Sequence, residues 1–218
     1  MGLFRDYLNQ TRKPEGILGR LMLEGMNPGH AKPADWGMTF LPPTGPETVA
    51  DLGCGGGRNI GELLKRYPRA KGTAVDHSAL SVEKAGAYNR ALVGAGRLTV
   101  LTGDVSALPL PSEGFDLVTA FETVYFWPGL ARCFAEVARI LRPGGCFLIC
   151  NESDGTDQTS LRFERIIDGM KNYTGEELSS ALQAAGFAEI TVSRHAKKPW
   201  IAVLAKKGRP AEKETGSV

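Results

Sequence analysis

Apolar and β-branched residues come in short runs that alternate with segments of helical periodicity. Runs of this length, apolar almost throughout, are typical of strands buried on both faces of a parallel sheet. The segments between them place apolar residues three or four positions apart, as helices that cover a sheet do. We therefore predict an α/β fold with helices on both faces of the sheet. The predicted strands cover residues 48–53, 72–77, 98–104, 115–122 and 146–152.

Turn and capping residues mark where the predicted helices begin and end. The clearest start is a capping box, in which Thr174 is followed three residues later by Glu177. Pro68 ends the first helix, and an Arg-Pro-Gly-Gly sequence ends the third. The predicted helices cover residues 57–67, 77–96, 129–141 and 174–186.

Two further strand candidates, residues 188–195 and 199–207, follow the last predicted helix. Their connection is short and contains two lysines and a proline, which suits a hairpin. We therefore expect the final strand to run antiparallel at the edge of the sheet.

The regions outside the sheet differ in composition from it. Residues 1–44 are predicted to form an N-terminal cap, with a helix over residues 14–25 and an irregular run over residues 26–40. The sheet domain covers residues 45–207, with no interdomain linker, and the polar residues 208–218 are predicted to be a flexible tail.

Composition excludes several classes of protein. Hydrophobic residues make up 42% of the chain and charged residues 23%, as in soluble globular proteins. The sequence has neither an apolar run of membrane-spanning length nor a signal-peptide pattern, so we expect a cytoplasmic protein without a membrane segment. A formal net charge of +2 gives little attraction for nucleic acid, and we expect no such partner. The four cysteines lack metal-binding spacing and are expected to be reduced and mostly buried.

The segment VADLGCGGGRNIGELL carries the most specific signal in the chain. A predicted strand runs into Asp51, a glycine-rich turn follows, and a helix begins directly after it. Glycine is needed where the chain turns sharply and where a ligand approaches the backbone without meeting a Cβ atom. This order predicts a nucleotide-like ligand at the carboxyl end of the first strand, against the alternative of a flexible turn.

The spacing of glycines and acids narrows the choice of ligand. A dinucleotide site requires Gly-x-Gly-x-x-Gly, but Arg58 stands at the sixth place counted from Gly53. Asp51 suits a ligand with a positively charged amino group, and Asp76, at the end of the second strand, suits a ribose diol. Adenosine joined to an amino acid meets both requirements.

These motifs make the chain resemble a class I S-adenosylmethionine-dependent methyltransferase over about residues 45–207. The first motif of that family stands here as DLGCGGG, the second-strand acid lies in VDHS, the adenine-binding segment is TGDVSALPLPSEGFDLV and the entry to the fifth strand is LRPGG. The resemblance implies a Rossmann-like sheet of seven strands, mostly parallel, with the last strand antiparallel. It also implies S-adenosyl-L-methionine as methyl donor and S-adenosyl-L-homocysteine as product.

The resemblance further implies roles for individual residues. Asp51 and three glycines of the turn would line the methionine end of the cofactor, and Asp76 would bind the ribose hydroxyls. Asp104 would bind the adenine amino group, beside the backbone of Val105. The candidate cofactor-binding residues are Asp51, Gly53, Cys54, Gly55, Gly57, Asp76, His77, Asp104, Val105 and Phe121.

Three of these candidates have an alternative explanation. Cys54 can simply fill space among the glycines, His77 can be a bystander next to Asp76, and Phe121 can belong to the core because strand alternation gives it the same direction as Thr119.

The stretch FETVYFWPG follows the fourth strand and is expected to lie at the rim that receives the cofactor. Glu122 could bind a substrate cation, orient the cofactor or accept a proton, with a structural carboxylate as the alternative. Tyr125 or Trp127 is expected to line the acceptor pocket, with packing beneath the helix at residues 129–141 as the alternative. We name Glu122 and Tyr125 as candidate catalytic residues.

The N-terminal cap adds two candidates to the same site. His30 is a candidate catalytic base and Trp36 a candidate lid residue, with a surface histidine and a tryptophan that pins the segment to the domain as alternatives. Asn151, Glu152 and Asp154 follow the fifth strand, but they match a divalent metal site poorly, and we expect no metal.

The predicted function is methyl transfer to a small-molecule acceptor by in-line displacement, in which the protein aligns the acceptor and removes water. Oxygen, nitrogen, sulfur and carbon acceptors all stay open. One alternative is a non-catalytic cofactor-binding module. Another is an NAD-dependent oxidoreductase, since Tyr67 and Lys71 have short-chain dehydrogenase spacing, although Pro68 breaks the helix that such a pair needs. The oligomeric state is open, with a homodimer as one arrangement.

Overall fold

The computed structural model describes residues 31–43 and 45–209. Seven strands form one sheet in the order β3-β2-β1-β4-β5-β7-β6. Strand β7 runs antiparallel to both of its neighbours, and the other six strands share one direction. This confirms the predicted seven-stranded, mostly parallel sheet. The strands are β1 Thr48–Leu52, β2 Lys71–Asp76, β3 Leu98–Thr102, β4 Phe115–Phe121, β5 Leu141–Asn151, β6 Phe187–Arg194 and β7 Ile201–Lys207.

Helices cover both faces of the sheet, and each face has its own apolar core. The helices α5 and α7 cover a core that contains Phe134, Phe147 and Leu178. The helices α1, α2 and α3 cover the other core, which contains Met38 and Leu63. The described helices are α1 Ala31–Met38, α2 Arg58–Arg66, α3 Ala79–Tyr88, α4 Arg90–Gly94, α5 Leu130–Ile140, α6 Gln158–Glu164 and α7 Gly175–Ala184.

The helix predicted over residues 77–96 is two helices, because Asn89 interrupts it. The Asn89 Nδ2 donates to the carbonyl oxygens of Gly57, at 2.8 Å, and Ala85, at 3.0 Å. A side chain that bonds to nearby backbone competes with the helical pattern, and α3 ends at Tyr88. The capping box of Thr174 and Glu177 is present as predicted.

The structure differs from the sequence prediction most clearly in the start of one strand, the position of another strand and the presence of one helix. Strand β5 begins at Leu141 rather than at residue 146, with a register shift against β4 at this point. The final strand β7 is antiparallel as predicted, but the prediction that it lies at the edge is wrong, because β7 lies between β5 and β6 and β6 forms the edge. Helix α6 was not predicted, because it has no buried residue and therefore no apolar stripe.

The described part of the N-terminal cap is a helix, so the prediction of an irregular run is wrong over α1. Ala34, Gly37 and Met38 recur at helical spacing and are buried, and Pro33 stands in the first turns, where proline is tolerated. The helix predicted over residues 14–25 and His30 lie outside the described residues. At the other end, the Gly208 N–H donates to the Gly186 carbonyl, and residues 210–218 also lie outside the described part.

No helix in the part of the chain that the structure describes is both long enough and apolar enough to span a membrane.

Candidate functional site

The carboxyl ends of the parallel strands meet at one rim of the sheet, and the sequence motifs come together there. The glycine turn leaves β1 and is fastened to β2, because the N–H groups of Gly53 and Cys54 both donate to the Val75 carbonyl, at 2.8 and 3.1 Å. The Gly103 N–H donates to the Asp76 carbonyl at 3.0 Å, which holds the end of β3 beside the end of β2. Three segments predicted to bind one cofactor are therefore neighbours.

Three of the four glycines in the turn have positive φ angles, and only one of these three faces open space. A Cβ atom on Gly53, at φ 74°, would collide with the Thr123 side chain. A Cβ atom on Gly57, at φ 80°, would lie 2.7 Å from the Ala85 Cα atom. A Cβ atom on Gly55, at φ 50°, would meet nothing within 4 Å. Packing therefore explains two of the glycines, and Gly55 marks the place where a ligand can approach the backbone.

Asp76 fastens the glycine turn as well as ending β2. Its carboxylate is buried, with Oδ2 accepting from the Gly55 N–H and Oδ1 accepting from the Ser78 N–H, both at 2.9 Å. The Nδ1 atom of the exposed His77 lies 3.5 Å from Oδ1. Each carboxylate oxygen keeps a second lone pair, so Asp76 can accept further hydrogen bonds.

Asp51 is buried at the end of β1 and accepts a hydrogen bond from Thr119 Oγ1 of β4 at 2.8 Å. Burial raises the pKa of the Asp51 carboxyl from 3.8 to about 7, with the Thr119 hydrogen bond acting against this rise and the charge of Asp76 adding to it. Cys54, next to the first glycine, is buried as well, and burial raises the pKa of its thiol well above the usual range. A protonated, buried thiol fits the space-filling alternative for Cys54.

Asp104 and Val105 follow β3 and are accessible from the rim. The Asp104 side chain is exposed, and its Oδ1 accepts from the Ser106 N–H at 2.8 Å. This hydrogen bond holds the pKa of Asp104 below its usual range. Val105 is half-buried against the core of α5 and α7.

Glu122 and Tyr125 lie together after β4, as buried and directly bonded side chains. Glu122 has a positive φ of 55° at the end of the strand, and its N–H donates to the Cys150 carbonyl of β5. The Tyr125 hydroxyl donates to Glu122 Oε2 at 3.0 Å. Burial, together with the negative charges of Glu122 and Glu152, raises the pKa of the Tyr125 phenol well above its usual range, so Tyr125 is a hydrogen-bond donor rather than a base.

Two other aromatic residues of this stretch, Phe121 and Trp127, pack into the cores. The Trp127 ring stacks on Phe147 at 6.2 Å and meets Phe134 of α5 edge-on at 6.0 Å. Trp127 therefore packs beneath α5, which was the alternative to lining the acceptor pocket. Phe121 is buried in the core of α1 and α2, close to Gly37 of α1, which places it behind the rim.

Helix α1 lies beside the glycine turn and carries Trp36 to the β6–β7 hairpin. An ion pair joins Asp35 to Arg58 of α2 at 2.6 Å. The Trp36 ring packs against Phe40 at 5.0 Å, His195 at 5.5 Å and Trp200 at 6.1 Å. These contacts pin the described end of the cap to the domain.

Asn151 and Glu152 lie at the end of β5, with Asp154 just beyond. In the described ranges, no group of three or more histidine, cysteine, aspartate or glutamate residues could hold a metal ion.

Four residues contribute to the rim without having been predicted from the sequence. Thr119 bonds to Asp51, Thr123 fills the space that Gly53 leaves, and Asn89 bonds to the Gly57 carbonyl. The fourth, Asn151, was noticed only as part of a possible metal site. None of these residues belongs to a local sequence motif, so the sequence alone did not indicate their roles at the rim.

Comparison with known proteins finds similarity to methyltransferases. Residues 49–145 match a family model described as a methyltransferase domain. The sterol 24-C-methyltransferase ERG6B of Gibberella zeae is 30% identical over 148 residues, which cover 64% of this chain and 39% of that protein. A malonyl-[acyl-carrier protein] O-methyltransferase of Methylococcus capsulatus is 28% identical over 165 residues, which cover 73% of this chain and 59% of that protein. The chain thus spans between 39% and 59% of the lengths of these two relatives.

The fold is also similar to solved structures. A chain from the Haloferax volcanii complex between the Trm112 methyltransferase activator and a methyltransferase superposes with a TM-score of 0.75. It is 22% identical, and the match covers 86% of this chain and 94% of that chain. At this identity the likeness shows the fold alone.

Proposed function

We propose that the chain is a class I S-adenosylmethionine-dependent methyltransferase, which transfers a methyl group from S-adenosyl-L-methionine to a small-molecule acceptor. The match of residues 49–145 to a methyltransferase-domain model and the similarity to named methyltransferases support this proposal. The observation that carries the proposal is the glycine turn, in which Gly55 faces open space while its N–H donates to the Asp76 carboxylate. A turn held this way presents backbone to a ligand without needing the ligand to order it.

The residues at the rim fit this cofactor. Asp51 offers a buried carboxylate for the amino group of the methionine moiety, and Asp76 offers its remaining lone pairs to the ribose hydroxyls. Asp104, exposed beside Val105, offers an acceptor to the adenine amino group. These assignments follow the family resemblance residue by residue, and the open face of Gly55 supports them.

The chemistry divides between the cofactor and the chain. When it is bound, S-adenosyl-L-methionine supplies an electrophilic methyl group on a sulfonium sulfur. The chain's own residues hold the acceptor in line with this group and keep water away. Glu122 and Tyr125 stand at the end of β4 in the same rim, and their buried hydrogen bond fixes the Glu122 carboxylate in one orientation. This arrangement supports Glu122 as the residue that orients the acceptor or takes its proton.

The relatives leave the identity of the acceptor open. One is named for a carbon of a sterol and the other for an oxygen of malonyl-[acyl-carrier protein]. Neither name describes a nucleic acid: one acceptor is a sterol and the other is a malonyl group attached to a carrier protein, so in both the methylated part is a small organic group. Because the two relatives are named for different methylated atoms, neither identifies the atom that this chain methylates.

The oxidoreductase alternative loses its structural basis. Tyr67 is buried, and its hydroxyl donates to the Pro42 carbonyl at 2.7 Å. Lys71 opens β2 at the end of the sheet opposite the glycine turn. The pair therefore stands away from the rim where a cofactor would bind.

One binding measurement and one transfer assay test the proposal. Isothermal titration with S-adenosyl-L-homocysteine and, separately, with NAD should give binding with the first ligand only, and binding of NAD alone would overturn it. Transfer of tritium from methyl-labelled S-adenosyl-L-methionine to a low-molecular-weight metabolite fraction then separates an enzyme from a cofactor-binding module. Cofactor binding without any transfer would favour the module.

A further inference from the structure

Asn151, the last residue of β5, has a side chain whose hydrogen-bonding capacity is not used within the described residues. The residue is 2% exposed, and its Oδ1 has no hydrogen-bond partner there. No hydrogen bond of its Nδ2 to a described residue is present either. A buried amide oxygen without a partner is destabilising, and in a native protein it calls for a specific reason, such as a ligand.

The direction of the side chain follows from the strand. The Cys150 thiol donates to the Pro33 carbonyl of α1 at 3.2 Å, so Cys150 faces α1. Side chains alternate along a strand, so Asn151 faces the opposite side. Cys150 is the register partner of Phe121 on β4, which places Glu122 beside Asn151 where the two strands end. The amide therefore lies at the end of β5 next to Glu122, on the face of the sheet that α5 and α7 cover.

In the described residues, the hydrogen-bond donors of Tyr125 and of Lys171, which is bonded to Tyr125, are already engaged. The Tyr125 hydroxyl already gives its proton to Glu122 Oε2. The backbone N–H of Lys171 is bonded to the Tyr125 carbonyl at 2.8 Å. The Lys171 ammonium is turned away, over the Tyr173 ring at 4.8 Å and 3.9 Å from Glu177. The group that complements this arrangement is a ligand group that donates a hydrogen bond.

We infer that Asn151 is an acceptor-binding residue, whose Oδ1 accepts a hydrogen bond from an amine N–H or an alcohol O–H of the methyl acceptor. The inference rests on the proposed function and narrows it, because carboxylate, ether and thioether groups cannot donate such a bond. Sites built to bond a substrate hydroxyl or amine discriminate strongly against analogues that lack it. Glu122, the neighbouring carboxylate, accepts from the same kind of group.

The chain provides a matched control for Asn151. Asn172 is also buried with an Oδ1 that has no partner in the described part of the chain. Its Nδ2, however, donates to the Ser160 carbonyl at 3.0 Å and to Glu164 Oε2 at 3.1 Å, so its role is structural. Replacing either asparagine by leucine changes chemistry at similar volume, but only Asn172→Leu breaks hydrogen bonds within the described protein.

The first experiment compares the melting temperatures of the full-chain variants. Asn151→Leu should match or exceed the wild type, because it removes an unsatisfied amide in favour of an apolar side chain. Asn172→Leu should melt about 2–4 °C lower, as expected when about 1 kcal/mol is lost from a domain of this size. An equal fall in Asn151→Leu would give Asn151 a structural role and overturn the inference.

The second experiment screens a fragment library of amines, alcohols, carboxylates and ethers by thermal shift, with the protein saturated with S-adenosyl-L-homocysteine. Amines or alcohols should be enriched among the fragments that stabilise the wild type, and this enrichment should disappear in Asn151→Leu. Enrichment of amines alone indicates nitrogen methylation, and enrichment of alcohols alone indicates oxygen methylation. Absence of any enrichment overturns the inference about Asn151 and leaves the proposed function standing. Failure of S-adenosyl-L-homocysteine itself to bind removes both.

Discussion

The two halves of the rim are built by different means. In the half formed by β1 and β2, groups of the chain hold one another: Asp76 bonds to the backbone of Gly55, and Asn89 bonds to the backbone of Gly57. In the half formed by β4 and β5, the buried amide oxygen of Asn151 has no hydrogen-bond partner in the described residues. The difference indicates that the chain itself holds the glycine turn of the proposed cofactor half before any ligand arrives, whereas the acceptor half obtains part of its hydrogen bonding from the ligand it takes.

The largest expected effect comes from adding a methyl group where the cofactor half is packed. Gly53→Ala places a Cβ atom against the Thr123 side chain at a positive φ, and should lower the free energy of unfolding by about 3 kcal/mol or more. Gly55→Ala, at a similar φ but facing open space, is the control and should cost only about 1 kcal/mol. Urea denaturation measures both. Equal losses would mean that packing does not distinguish the two glycines.

The next effect is a pH dependence that comes from Asp51. Its pKa lies at about 7 in the folded protein against 3.8 for the ordinary carboxyl. Because the folded state holds the proton more tightly, the stabilisation from this group is fully present below pH 3.8 and is lost as the pH rises to about 7. Denaturation across this range should therefore show wild type losing stability relative to Asp51→Asn as the pH rises. A constant difference between the two would refute the raised pKa.

Affinity for the cofactor product should also depend on the protonation of Asp51, but it should increase as the pH rises, whereas the stability contribution of Asp51 decreases. A positively charged amino group favours the ionised carboxylate, so the affinity for S-adenosyl-L-homocysteine should fall by up to tenfold for each pH unit below about 7. Titration calorimetry at several pH values measures this, with Asp51→Asn as the control that should lack the dependence.

A smaller effect is expected where Asp76 holds the glycine turn. Asp76→Asn replaces one of the two accepting carboxylate oxygens by an NH2 group, which cannot accept a hydrogen bond from a backbone N–H. The variant should lose about 1–3 kcal/mol of unfolding free energy in the absence of any ligand. Asp154→Asn is the control, because Asp154 also accepts from a backbone N–H two residues ahead but does so at the surface. It should change stability by less than about 0.5 kcal/mol. Similar costs for the two would show that Asp76 does not fasten the turn.

The smallest effect on stability belongs to the acceptor half. Tyr125→Phe removes the hydrogen bond to Glu122 and should cost about 0.5–1.5 kcal/mol, while leaving affinity for S-adenosyl-L-homocysteine unchanged. Tyr67→Phe removes a comparable bond to the Pro42 carbonyl at the other end of the sheet. Only Tyr125→Phe should reduce methyl transfer, measured with the tritium assay. Reduced transfer in both variants would point to a general loss of stability.

The sequence predicts most of the fold because strand and helix patterns are local. Every predicted strand is present, and the capping box at Thr174 is formed as its spacing indicates. The prediction fails where a distant contact decides, as at Asn89, whose bond to the Gly57 carbonyl splits one predicted helix into two. It also fails at α1, whose glycine and proline resemble loop residues until the contact of Gly37 with Cys150 and Phe121 is seen.

The same distinction separates the two halves of the site. Asp51, Gly55 and Asp76 could be named from the sequence because one strand–turn–helix segment and the next strand end carry them. The pairing of Glu122 with Tyr125 and the unsatisfied amide of Asn151 depend on how β4 and β5 end beside each other, which no local pattern records.

Calorimetric titration of S-adenosyl-L-homocysteine into wild type and Gly55→Ala tests the central claim most directly. The variant adds a single methyl group on the open face of the turn, where the ligand is proposed to approach the backbone. The account predicts one binding site per chain in the wild type and at least tenfold weaker binding in Gly55→Ala, although the variant stays folded. Equal affinity in the two proteins, or no binding to the wild type, would contradict it.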